Sequence, residues 1–229
     1  MMLRSAEVRW IIPGALPDEA LSWFSAGQAV DSWGVQAHEY LVFPDCRSVG
    51  VKMREGRFEI KAMLDVPQPL SLGTGIQGTA EEWVKWSFAS GGLQIIGPEL
   101  RRAGFWLKVH KERFLRTFSA DEGNLVQVTA RLGSEQRSLL RAGCNMELTR
   151  IEAEVNPRFW FSLGFEAFGP SPLASRSLLL ETVHFFFHRY GGMPGISLDE
   201  RNSLSYPAWL AKVAKTLEGD DGNSSSSES

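Results

Sequence analysis

Polar and apolar residues alternate with a period of two along several stretches of this chain, the spacing at which successive side chains of a strand reach opposite faces. Glu7-Val8-Arg9-Trp10-Ile11-Ile12 sets Glu7 and Arg9 on one side and Val8, Trp10 and Ile12 on the other, which predicts a half-buried strand. Residues 48–64 form the clearest hairpin. Val49, Val51 and Met53 alternate with Gly50, Lys52 and Arg54, and after Glu55-Gly56 the residues Phe58, Ile60 and Ala62 alternate with Arg57, Glu59 and Lys61. Gly56 supplies the positive φ that a tight hairpin turn needs. Further strands are predicted over 38–43, 105–118 and 125–132, and a second hairpin over 145–154 and 158–168, joined through Asn156-Pro157.

Helical spacing is rarer. Pro17-Asp18-Glu19 opens a short helix through Phe24, with Gly27 near its end. Thr79-Ala80-Glu81-Glu82 fits a capping box ahead of a helix carrying Trp83, Trp86 and Phe88. A short helix is predicted over 134–141. A longer one over 174–190 carries apolar residues at 179, 183, 186 and 187 and stops at Gly191-Gly192. A last helix starts at Tyr206-Pro207 and runs through Leu217. Residues 67–78, rich in Pro and Gly, are expected as a loop. There is no internal repeat. Strands in hairpins with intervening helices predict an α+β protein, an antiparallel β-barrel with peripheral helices. It is expected to be one domain over 1–218, followed by a disordered serine-rich tail over 219–229.

Composition narrows the function more than the fold. The 229 residues are 43% apolar and 22% charged, enough for a sizeable core, and the formal net charge of -3 offers no general attraction to nucleic acid or an anionic membrane. Any anion site must be a local concentration of charge. Cys46 and Cys144 sit in no CxxC pair and no zinc spacing, and are expected as free thiols. With no apolar signal core near the N-terminus and no run approaching a membrane span, a cytoplasmic protein is expected. Neither nucleic acid nor membrane is expected as a partner. Arg101-Arg102 is a single basic pair, and the stretch Leu72-Gly73-Thr74-Gly75 lacks a P-loop lysine. His184 and His188 lie four apart on a predicted helix, but Phe185 stands where a metalloprotease helix needs glutamate, so a surface or packing role is expected. His110 is either a phosphate donor or an ordinary strand residue.

Charged residues two apart recur on the strands: Glu7 with Arg9, Lys52 with Arg54, Glu59 with Lys61, Lys111 with Arg113. Such faces line either solvent, with ion pairs between strands, or the inside of a basic tunnel that grips phosphates through several donors. Periodicity alone does not separate the two.

Taken in order, four stretches resemble the CYTH family, also called triphosphate tunnel metalloenzymes. They are Ala6-Glu7-Val8-Arg9-Trp10, the hairpin from Val51-Lys52-Met53-Arg54 to Glu59-Ile60-Lys61, Lys108-Val109-His110-Lys111-Glu112-Arg113, and Met146-Glu147-Leu148-Thr149-Arg150 with Leu163-Gly164-Phe165-Glu166. The resemblance spans about 6–190. It implies an eight-stranded antiparallel tunnel in which Arg9, Lys52, Arg54, Lys61, Lys111 and Arg113 bind phosphate. It further implies that acidic residues, here Glu7, Glu147 and Glu166, hold a divalent ion, magnesium or manganese. The chain departs from the family pattern in a systematic way. Arg9 stands where a second acid of the first strand belongs, Thr149 and Gly164 where acids of the later hairpin belong, while the basic positions are kept. Halving the acids weakens a metal site and makes the tunnel more positive. The expected function is therefore binding of a triphosphate, polyphosphate or other phosphate-rich small anion with weak or absent hydrolysis. The alternatives are a magnesium- or manganese-dependent triphosphatase and a non-catalytic scaffold for a protein partner.

Overall fold

Among the described residues there are ten strands, and eight of them close on themselves. The structure, a computed structural model, describes residues 2–221 apart from 29, 74, 90–105, 122–123, 129–139 and 155–157. The strands are β1 (Met2–Pro13), β2 (Asp31–Leu41), β3 (Val49–Arg54), β4 (Arg57–Met63), β5 (Gln68–Leu72), β6 (Ile76–Ala89), β7 (Trp106–Asp121), β8 (Asn124–Val128), β9 (Gly143–Ala153) and β10 (Arg158–Phe168). The helices are α1 (Asp18–Ser25), α2 (Pro172–Tyr190) and α3 (Tyr206–Asp221). The pairing order β1-β10-β9-β7-β2-β3-β4-β6 returns to β1 through the β1–β6 pair, and all of these pairs are antiparallel. Closure leaves the ring without a free edge. The expected eight-stranded antiparallel barrel with peripheral helices is present. β5 pairs the first part of β6, and β8 pairs the end of β7.

Two segments differ from expectation. Residues 79–88 belong to strand β6 instead of a helix. Trp83, three residues from Trp86, is fully buried while Trp86 is 38% exposed, because in a strand residues three apart face opposite sides. Both flanks of this strand find partners: Met63 pairs Trp83 from β4, and Ser5 pairs Trp83 from β1. Two ladders outweigh a capping signal that only local contacts would reward. Residues 67–78 are likewise strand β5 and the start of β6, with Leu70, Leu72 and Ile76 buried. Pro69 is tolerated because β5 pairs on one side only. The 55–56 turn is as expected, with Glu55 at φ 49° and Gly56 at φ 68°. The predicted helix over 134–141 falls almost wholly outside the described residues, as do Asn156-Pro157 and Arg101-Arg102. The last helix runs past Gly219 to Asp221, and 222–229 lie outside the described residues.

The apolar faces of the strands point outward and are covered by helices. Ser171 caps α2 by accepting from the Ala174 amide, Pro172 occupies the first turn, and Gly191 at φ 72° ends the helix. Leu178, Leu179, Val183, Phe186 and Phe187 of α2 pack with Val8, Trp10, Met146, Leu148, Leu163 and Phe165. His184 and His188 face solvent on this helix. α3 does the opposite and enters one end of the barrel. Its Trp209, Leu210 and Val213 join Ile11, Tyr40, Leu107, Val109, Ile151 and Ala153 in a second core. Gly50 admits it: a Cβ there would lie 2.9 Å from Pro207 Cγ. No helix among the described residues is long and apolar enough to cross a membrane.

Candidate functional site

With one end sealed by α3, the rest of the barrel interior is a cavity of about 610 Å³. All nine residues singled out in the sequence line it: Arg9, Lys52, Arg54, Lys61, Lys111 and Arg113, with Glu7, Glu147 and Glu166. The charged faces therefore point into the barrel and not to solvent. His110 lies on the other face of β7, 3.9 Å from Glu154, and does not line the cavity. Arg4, Glu59, Lys85, His38, Tyr40 and Tyr206 join the lining and were not singled out. Lys85 was hidden because its segment reads locally as a helix. Glu59 was visible as the strand partner of Lys61. Tyr206 is delivered by α3, a placement that no local pattern encodes.

The acids on β1 and β9 are closed on cations. Both carboxylate oxygens of Glu7 accept from Lys61 Nζ, at 2.6 and 2.5 Å, and one also accepts from Ser5 Oγ. Burial would raise the Glu7 carboxyl, but Lys61 and Arg9 hold it below the usual range. Glu147 accepts from Arg9 at 3.1 Å and from Thr149 at 3.0 Å, with Arg113 at 3.6 Å. Against the upward push of burial, Arg9, Arg113 and Lys111 draw its pKa down to about 2. Glu59 sits 2.8 Å from Lys52 and 4.0 Å from Arg54. Glu166 also lines the cavity and carries no ion pair among the described residues; its cross-strand neighbour is Glu7.

The three departures from the acidic pattern meet in space. Arg9 pairs Gly164, and Gly164 pairs Glu147, across β1, β10 and β9. A Cβ on Gly164 would lie 2.7 Å from Arg9 Cζ, so the guanidinium occupies the room that an acidic side chain at 164 would need. Its other contacts are Ser162 Oγ at 3.2 Å and the Tyr206 ring at 4.8 Å. Burial disfavours the charged guanidinium, yet Tyr206, Glu147 and Glu7 raise its pKa further. An arginine thus stands as a fixed cation among carboxylates.

That arrangement bears on the divalent ion implied by the resemblance. An ion needs several hard oxygen ligands around one point. Among the described residues no three acidic, histidine or cysteine side chains gather into such a group. Glu7 and Glu147 already satisfy Lys61 and Arg9. The donor set in this arrangement does not fit a magnesium or manganese centre.

The opposite wall has cations to spare. Among the described residues the cavity is lined by eight basic side chains and four carboxylates. Lys85 and Arg4 carry no ion pair from a described residue, and Arg54 Nε and Arg113 Nε are buried with no hydrogen-bond partner. Arg113 donates to Gln36 at 3.2 Å and approaches His38 Nε2 at 3.0 Å. Because arginine only donates, Nε2 accepts and the proton of His38 sits on Nδ1, which is buried without a partner. Burial and then Lys111, Lys52 and Arg113 push the His38 pKa down to about 2, so the ring is neutral. Burial lowers the pKa of Lys52 to about 8 despite Glu59.

Lys111 is the least comfortable of these cations. It is 4% exposed, donates to Tyr40 Oη at 2.5 Å, and lies 3.2 Å from the centre of the Tyr206 ring. A desolvated cation over an aromatic face gains about 2 kcal/mol or somewhat more. Taking an ammonium out of water costs several kcal/mol unless a counter-charge is near. The nearest candidate, Glu147, is engaged by Arg9 and Arg113. Burial first, then Lys52 and Arg113, therefore place the Lys111 pKa well below its ordinary value.

No family model matches the chain, and no curated protein does. Among solved structures, the PH1012 protein of Pyrococcus horikoshii OT3 is 14% identical, over 93% of this chain and 98% of that one, with a TM-score of 0.42. A conserved hypothetical protein of Pyrococcus furiosus is also 14% identical, over 86% of this chain and 94% of that one, at 0.41. The S. pombe Pct1 RNA triphosphatase is 8% identical, over 96% of this chain and 83% of that one, at 0.35. Likenesses of that size carry neither substrate nor mechanism across. The ring closure and the inward charges stand without them: this is a closed eight-stranded antiparallel barrel with a basic interior.

Proposed function

We propose that this protein binds a triphosphate, polyphosphate or other phosphate-rich anion inside the barrel, with little or no hydrolysis. The observation that carries the reading is the charge balance of the cavity. Twice as many basic as acidic side chains line it, and Glu7, Glu59 and Glu147 are already matched by lysine or arginine. The remaining cations have no ion pair among the described residues, and a polyanion with several oxygens would satisfy them through charge-assisted hydrogen bonds. Hydrolysis additionally needs a group that orients and activates water, usually with metal help. Of the four cavity carboxylates, three are tied to cations, and Glu166 alone among the described residues is not.

The second reading is a magnesium- or manganese-dependent triphosphatase. It is favoured by the row Glu81, Glu7 and Glu166, which are cross-strand neighbours on β6, β1 and β10. It requires Glu7 to exchange Lys61 for an ion. A scaffold that binds a protein partner and no phosphate is the third. Calorimetric titration with tripolyphosphate, in chelator and then in magnesium, with phosphate release followed in the same samples, separates them. Binding in chelator without release is expected. Rapid release on adding magnesium, abolished by Glu147→Gln, would establish the second reading, and no binding in either condition would leave the scaffold.

A further inference from the structure

We propose that an anion arriving in the barrel is bound together with a proton, taken up at Lys111. The inference rests on the phosphate-binding reading above and adds how the site is switched on.

Among the described residues Lys111 has no ion-pair partner. From β2 it meets the hydroxyl of Tyr40, with His38 on the same strand. From β3 comes Lys52, from β7 itself Arg113, and from β1 Arg9, all cations. From β9 comes Glu147, whose oxygens serve Arg9, Thr149 and Arg113. From α3 comes the face of Tyr206, 3.2 Å away. Of these charged neighbours Lys52, Arg113 and Arg9 oppose a charge on Lys111 and Glu147 favours it, and burial opposes it most. The empty cavity therefore loosens the hold of the amine on its proton.

An anion reverses each of these influences. Phosphate oxygens in the same cavity bring negative charge close to Lys111 and offset the repulsion from Lys52, Arg113 and Arg9. The amine then holds its proton more tightly, and a proton enters from water as the anion binds. Linkage requires the converse: raising the pH must weaken the anion. Release of that proton would relieve repulsion within the empty barrel.

The experiment is titration calorimetry with inorganic tripolyphosphate near neutral pH, in several buffers of different ionisation enthalpy. It is run on the wild type, Lys111→Arg and Lys111→Met, each checked for folding by a thermal melt. Tripolyphosphate contributes its own proton exchange, so the variant difference is the reading. The wild type should take up more protons than Lys111→Arg, by up to about one per anion bound. Lys111→Arg should still bind, because its charge is permanent. Lys111→Met should bind about tenfold more weakly, without the extra proton. If Lys111→Met fails to fold, the arginine variant carries the test alone. Equal proton uptake in wild type and Lys111→Arg, with tripolyphosphate bound to both, overturns the inference and spares the binding reading. Absence of tripolyphosphate binding in every buffer sinks both.

Discussion

The barrel has two walls that use the same charged residue types for different ends. On β1 and β9 the inward acids meet cations at contact distance: Glu7 with Lys61, Glu147 with Arg9. Where β3, β6 and β7 face the cavity, Lys85 has no ion pair from a described residue, Lys111 has none either, and Arg54 stands 4.0 Å from its carboxylates. One wall is internally neutralised and holds the barrel together. The other is left short of negative charge. Counter-charge within reach, and not the identity of the residue, decides whether a buried cation is structural or available to a ligand.

The largest expected effect lies on the neutralised wall. Arg9→Ala removes the arginine donor to Glu147 and leaves that carboxylate buried with only the Thr149 hydroxyl at 3.0 Å and Arg113 at 3.6 Å. A loss of about 3 kcal/mol in urea unfolding is expected, and an unchanged midpoint would mean Arg113 alone suffices. Gly164→Ala sharpens the same point. Its Cβ would meet the Arg9 guanidinium, which Glu147 and Tyr206 confine, so a loss of about 1.5 kcal/mol is expected. If Gly164→Ala is neutral in wild type, the guanidinium is free to move and the close fit has no energetic weight.

On the other wall, Lys85→Met should leave stability within about 0.5 kcal/mol while weakening tripolyphosphate about tenfold in calorimetry. A stability loss without an affinity change would erase the contrast between the walls. The smallest effect is one of pH. Lys52 in the folded protein has its pKa near 8, below the 10.5 of an ordinary lysine. Between those values the unfolded chain binds the proton and the native state does not, so this group makes the empty protein more stable as pH rises from about 8 to 10.5. The gain is absent below pH 8. Thermal melts across that window should show the rise in wild type and a smaller one in Lys52→Met, where Lys111 still contributes.

Much of this was legible in the residue order. The alternation in 7–12 and 48–64 named the strands and their faces, because a strand with one covered side must carry apolar residues at every second position. The departures at Arg9, Thr149 and Gly164 were equally plain. The 79–88 strand was not, because a capping box and two tryptophans three apart are local signals, and ladders from β1 and β4 override them. With that strand misplaced, Lys85 and Glu81 went unnoticed.

The sequence by itself determined which residues share a strand face and that cations outnumber acids among the family-like positions. Only the tertiary structure decided which side of the sheet became the inside, since period-two patterning is the same for a solvated face and a tunnel. Closure of β6 onto β1 settled that. Only the structure, too, brought Arg9, Gly164 and Glu147 into one row and set Tyr206 over Lys111. These groups lie far apart along the chain, and their interaction depends on distance in space, which local sequence does not encode.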